Sequence, residues 1–229
     1  MGNIYLYIDH DNFLTAVQLK KLNTLKLDFT IRRWNTVTGY GEQTILNELE
    51  AFKEVGAEVD PESYIAKVDS DVLFLSDEIF LRVLKSDDLV VGQLEDYWEP
   101  FVYVQGGCYF LRSSLAVQLM DFDKDIFSRV LVMMNNPTAK SRNRSINICP
   151  EDATIYLIAK DKTSKISFRD FYGSSVIHFR DKNGMLEYAK AAEGIMSRSR
   201  QFYNRHLGAS MPHTLHAVIK MVHKQLLSR

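Results

Sequence analysis

An α/β fold with a mixed, mainly parallel sheet flanked by helices is predicted for this chain by three observations. Short apolar runs alternate with stretches of helical periodicity, acidic residues sit where several of those runs end, and 46% of the residues are apolar. That alternation is the pattern of strands joined by crossover helices. Asn3–Ile8 (NIYLYI) reads as a buried strand that delivers Asp9-His10-Asp11-Asn12 at its carboxyl end. Leu14–Leu22 has helical spacing, and Leu27–Trp34 (LDFTIRRW) reads as a second strand. Thr44–Val55 is predicted as an amphipathic helix, with Ile45, Leu46, Leu49, Phe52 and Val55 on one face. Tyr64–Val68 enters the polar turn Asp69-Ser70-Asp71, and Val72–Leu75 leaves it as another apolar run.

Further along, Leu89–Leu94 and Phe101–Leu111 are candidate strands, the second broken by Gly106-Gly107. Ser113–Met120 reads as a helix, and Asn135–Cys149 as a basic loop rich in turn formers. Ala153–Ala159 fits either a helix or a strand. Ser174–Phe179 reads as a short strand, followed by a helix from about Met185.

Composition narrows the function classes. With 229 residues, a quarter of them charged and 11% aromatic, the chain can fill a sizeable core and is neither disordered nor fibrous. The 28 Lys and Arg balance 29 Asp and Glu, so a nucleic-acid partner is not expected. Cys108 and Cys149 lie too far apart for a zinc ribbon or a disulfide scaffold. No apolar run approaches the roughly 20 residues of a membrane span, and the first residues lack the basic start of a signal peptide. A cytoplasmic protein is expected. The balance conceals a polarity, because Glu42–Glu99 is acidic whereas no acid follows Glu193. Leu215, Val218, Ile219, Val222 and Leu226 share one helical face in that basic end. It would pack on the core, or make peripheral contact with the anionic inner face of a membrane.

The most informative stretch is Lys67-Val68-Asp69-Ser70-Asp71-Val72-Leu73. Two carboxylates one residue apart, between apolar strands, call for a cation or hydrogen bonds to offset their charge. Mn²⁺ or Mg²⁺ suits such oxygen ligands and leaves positions open for phosphate. As a structural feature alone, the same turn would cap the next element.

These residues resemble the DxD motif of nucleotide-sugar glycosyltransferases with the GT-A fold, and three further blocks follow in the order that superfamily uses. Phe101–Ser113, centred on Gly106-Gly107, resembles the glycine-pair block of inverting members, which lines the donor and acceptor sites. Cys149-Pro150-Glu151-Asp152-Ala153-Thr154-Ile155 resembles their "ED" block, and Val176-Ile177-His178-Phe179 the late strand whose His supplies a further metal ligand. The resemblance covers roughly residues 3 to 180. It implies a Rossmann-like GT-A catalytic domain over 1–184 and a helical C-terminal extension over 185–229.

It also implies roles. Asp71, with Asp69 and His178, would hold the metal; Asp9, Lys67, Asp69, Gly106, Gly107 and Lys182 would contact the nucleotide sugar. Asp152 would be the base that deprotonates an acceptor hydroxyl, and Glu151 would orient it or bind the acceptor. The donor is expected to be a UDP-sugar and the acceptor a glycan or a lipid-linked sugar, with inversion at the anomeric carbon. Lys182 follows His178 more closely than in the pattern associated with retaining relatives. Compared with the superfamily, the chain looks short at its front, since a first strand and helix ordinarily precede the strand that Ile4–Asp9 resembles. Two other classes remain open. One is a non-catalytic glycosyltransferase-like binding module. The other is a metal-dependent NYN/PIN-like ribonuclease using Asp9, Asp11, Asp69 and Asp71.

Overall fold

The computed structural model describes residues 4–8, 14–24, 29–34, 41–69, 72–74, 78–96, 99–136, 147–169 and 176–178. In chain order the elements are β1 (Ile4–Ile8), α1 (Ala16–Thr24), β2 (Phe29–Arg33), α2 (Glu42–Glu58), β3 (Tyr64–Val68), β4 (Val72–Phe74) and α3 (Glu78–Leu84). They continue with β5 (Val90–Glu95), β6 (Tyr103–Arg112), α4 (Ser113–Ala116), α5 (Asp125–Met134), α6 (Glu151–Lys162), β7 (Ile166–Phe168) and β8 (Val176–His178). Two units result, one from residues 1–68 with 83–170, the other from 69–82 with 171–229. The predicted extension from Met185 lies outside the described residues.

The first unit is mixed α/β. Its four-stranded sheet runs β3-β6-β5-β7; β6 is antiparallel to both neighbours, and β5 and β7 are parallel. Three of the four strands therefore share a direction, with β6 reversed between two of them. A separate parallel pair, β1–β2, runs in register from Ile4↔Phe29 to Ile8↔Arg33.

Strand β6 is the centre of this sheet, with Tyr103, Val104 and every residue from Gly106 to Leu111 buried. A strand buried on both faces reads as a continuous apolar run rather than an alternation, as in Cys108-Tyr109-Phe110-Leu111. Onto one face packs a core drawn from α2 (Ile45, Leu49, Phe52), α5 (Ile126, Val130, Met134) and α6. The predicted periodicity of α2 thus becomes the buried face, with Ile45 and Leu49 fully enclosed. At Gly56 a Cβ would come within 2.8 Å of Val117 Cγ1, so the missing side chain lets α2 lie close to the chain after α4. Ser113 Oγ donates to the Gly56 carbonyl at 2.8 Å across that contact.

Residues 151–162 are helical, which settles the choice left open for Ala153–Ala159. Every residue from Ala153 to Ala159 is buried, so no polar face was present to reveal the helical period. Helix α4 is shorter than its predicted span. It stops at Ala116, and Gln118 and Leu119 continue in i→i+3 turns onto Leu115 and Ala116. Strand β6 passes unbroken through Gly106-Gly107, where a break was expected. Helices α3 and α5 and strand β7 lie outside the predicted set.

Across the arms of the first unit, Arg32 on β2 joins Glu54 (3.3 Å) and Glu58 on α2, and its guanidinium lies 4.6 Å over the Tyr5 ring. Tyr7 donates to Glu54 at 3.0 Å and stacks on Trp34 at 4.4 Å. Burial, ahead of the carboxylate beside it, pushes the Tyr7 hydroxyl up to about 12.

In the second unit β4 and β8 pair antiparallel from Val72↔His178 to Phe74↔Val176, and the Phe74 and Phe80 rings lie 5.0 Å apart. Among the described residues no helix is long and apolar enough to cross a membrane.

Truncating the core contact of α2 tests this packing. Leu49→Ala should lower the unfolding free energy by about 2–5 kcal/mol in urea titration, by loss of transfer energy and cavity formation. Val132→Ala, at a position 73% exposed on α5, should change it by less than about 0.5 kcal/mol.

Candidate functional site

Strand β3 ends at Val68, and its last pairing with β6 is Val68↔Cys108. On its other side β6 pairs Tyr109 with Gly92 and Val104 with Leu94, so four residues, Gln105 to Cys108, lie opposite the single Gln93. The extra length is a bulge in which Gly106-Gly107 sit just beyond the end of β3. Bulges re-aim the backbone near sites, and this one turns the Gly106 peptide toward the first turn of α6.

The close approach requires glycine. A Cβ on Gly106 would lie 2.8 Å from Asp152 Cβ and 3.1 Å from its Oδ2. In its absence the Gly106 N–H donates to Asp152 Oδ2 at 3.1 Å. The other carboxylate oxygen accepts the Ala153 N–H at 2.8 Å, satisfying one of the free donors at the start of α6. Pro150 precedes that turn with extended backbone (φ −64°, ψ 137°), and its carbonyl accepts from both the amide and the hydroxyl of Thr154.

Lys67, on β3, grips the same glycine through its carbonyl. Its Nζ donates to the Gly106 carbonyl at 2.8 Å, lies 3.1 Å from Glu151 Oε1 and 3.8 Å from Glu48 Oε1. The lysine is largely buried, with Glu48 and Glu151 only slightly more open. One ammonium thus serves three acidic side chains, Glu48, Glu151 and Asp152, two of them directly.

Asp152 is partly buried. It borders a small cavity whose other walls include Val90, Val104, Tyr109, Leu111 and Tyr156. Burial first, then the neighbouring Glu151 charge, pushes its carboxyl up to about 6; the Ala153 and Gly106 amides and the Lys67 charge oppose the rise. A carboxyl that changes charge near neutral pH is poised for general acid–base work.

Four of the predicted site residues therefore meet: Lys67, Gly106, Glu151 and Asp152. Gly107 follows in the same bulge and is buried. Asp69 is half-buried and belongs to the second unit, where its carbonyl accepts the Val72 N–H at 3.1 Å. The backbone of His178 pairs with Val72, the residue after Asp71. Asp9, Asp71 and Lys182 lie outside the described residues. Among the described residues no group of three or more His, Cys, Asp or Glu is arranged to hold a metal ion.

Glu48 is a member of the cluster that the sequence motifs do not include. Its signal was present, since position 48 falls three residues after Ile45 and four before Phe52, on the buried stripe of α2. A charge on an apolar stripe needs a partner, and Lys67 supplies it. The sequence matches no protein-family model and no curated protein.

Two consequences are measurable. Gly106→Ala should displace the first turn of α6 and lower stability by about 1–3 kcal/mol in urea unfolding, since backbone-anchored atoms must move. Asp152 holds its proton more tightly folded than unfolded, so its stabilising contribution is full below about pH 4 and is lost as pH rises to about 6. Asp152→Asn should accordingly match the parent near pH 4 and exceed its unfolding free energy by up to roughly 3 kcal/mol at pH 7.5.

Proposed function

We propose that the chain is a metal-dependent glycosyltransferase that moves a sugar from a nucleotide diphosphate, a UDP-sugar by preference, to an acceptor hydroxyl with inversion. The observation that carries this reading is the meeting of three blocks far apart in sequence, Lys67, Gly106 and Glu151-Asp152, at the carboxyl end of β3. That strand runs directly into Asp69-Ser70-Asp71, and the carboxyl ends of strands are where open α/β sheets bind ligands.

In this reading Asp152 accepts the proton of the acceptor hydroxyl as its oxygen attacks the anomeric carbon. Its rise to about 6 gives it a basicity matched to neutral pH while leaving it mostly ionised there. Two backbone N–H groups hold both carboxylate oxygens, so the orientation of the base is set before an acceptor arrives. Glu151, turned toward Lys67, orients that turn and borders the acceptor side. The absent side chain at Gly106 lets its N–H reach Asp152 and so hold the base.

Asp71, Asp69 and His178 are the residues that would hold Mn²⁺ or Mg²⁺, which supplies positive charge to offset that of the departing diphosphate. The Val72↔His178 pairing supports that ligand set, and mixed carboxylate and imidazole donors suit Mn²⁺. Asp9, Gly107 and Lys182 belong to the donor side of the same reading. The acceptor is a glycan or a lipid-linked sugar, met at the inner face of a membrane through the basic end.

A panel of nucleotide sugars with Mn²⁺ provides the test. Metal-dependent release of the nucleoside diphosphate is expected with at least one donor. Asp71→Ala should abolish it, whereas Asp152→Asn should keep donor binding and lower turnover by about 10²-fold or more. Calorimetry that detects no nucleotide binding in the presence of Mn²⁺ would sink the reading. Binding without turnover on any acceptor would favour a non-catalytic module.

A further inference from the structure

We propose that Lys67 is a positioning residue, clamped by Glu48 and Glu151, that acts through Gly106 to orient the Asp152 carboxylate and hold it ionised. The inference rests on the reading of Asp152 as the base, and assigns Lys67 an internal role in place of contact with the donor.

Geometry carries it. The ammonium has three donors, and it is met by the Gly106 carbonyl at 2.8 Å, Glu151 at 3.1 Å and Glu48 at 3.8 Å. Those acceptors come from β6, α6 and α2, so the lysine on β3 ties four elements at one point. A flexible surface lysine would lose much side-chain freedom in such a contact; here a short reach and burial hold it. Gly106 is held on both sides of its Cα, its carbonyl by Lys67 and its N–H by Asp152. Moving the lysine therefore moves the amide that orients the base.

Charge works in the same direction. The titratable groups around Asp152 are Lys67 from β3, Tyr109 from β6, and Glu151 and Tyr156 from α6. Glu48 on α2 acts on it through Lys67. Lys67 is the cation of that set. It offsets Glu151, whose charge raises Asp152, and itself favours the ionised form. Glu48 holds the ammonium in place without entering the hydrogen bonds of Asp152.

The test follows the Asp152 carboxyl carbon by NMR through a pH titration of the full chain without metal, with thermal unfolding to check the fold. In Lys67→Met, which keeps the stem and removes the charge, the midpoint should rise above about 6 by about one pH unit, a tenfold weaker acid. Glu151→Gln, which leaves Lys67 its other two acceptors, should lower it. A folded Lys67→Met whose midpoint stays within about 0.3 pH unit would overturn the proposal. So would an unmoved midpoint in Glu151→Gln if the first variant does not fold, because burial alone would then set the value.

Kinetics separate this from a purely structural role. Lys67→Met should lower kcat and shift the acid limb of the pH profile upward with donor KM little changed, and Lys67→Arg should restore part of the rate. A fall in donor affinity at unchanged pH profile would instead return Lys67 to the donor. If the NMR midpoints move as stated and no donor is turned over, the positioning role stands and the glycosyltransferase reading falls.

Discussion

Gly106 is the residue on which the rest of the site depends. With an ammonium on its carbonyl oxygen and a carboxylate on its N–H, it links the end of one strand, the bulge of a second and the start of a helix. It is the residue that touches both Lys67 and Asp152, while Glu151 meets the lysine directly. The bulge supplies the turn of the backbone, and the absence of a side chain supplies the clearance. Burial then converts modest contacts into strong ones, because charges shielded from water feel each other more.

That arrangement carries a cost that its surroundings absorb. An acidic group enclosed among Val104, Tyr109, Leu111 and Tyr156 is disfavoured when ionised, which is why its proton is released near neutrality. A core that needed only stability would place an apolar residue there. The core around it is built with few such compromises. Helix α2 seals it with Ile45, Leu49 and Phe52, and α6 contributes seven consecutive buried residues.

Much of this was legible in the amino-acid sequence, for identifiable reasons. The Lys67–Asp71, Gly106-Gly107 and Glu151-Asp152 blocks combine residue types that have little purpose in plain packing, so they stand out against apolar flanks. The periodic face of α2 was equally plain. Glu48 was passed over, although its place on the apolar stripe of α2 marked it, because a lone acid in a charged helix ordinarily faces solvent. Helix α6 resisted assignment because burial on all sides erases the helical period. Helix α5 was obscured by the run Val130-Leu131-Val132-Met133-Met134, where apolar residues on both faces mask the spacing of Ile126, Val130 and Met134. Strand β7, three residues long, is too short to show any period.

The sharing of one lysine among three acids has a consequence for what can come near. Counted formally, the single charge of Lys67 is smaller than the sum of those on Glu48, Glu151 and Asp152. A bare phosphate approaching it would be repelled, whereas an uncharged hydroxyl would be welcomed by its acceptor oxygens. At this cluster a neutral hydroxyl meets less repulsion than an anion, which would need to bring its own counter-charge.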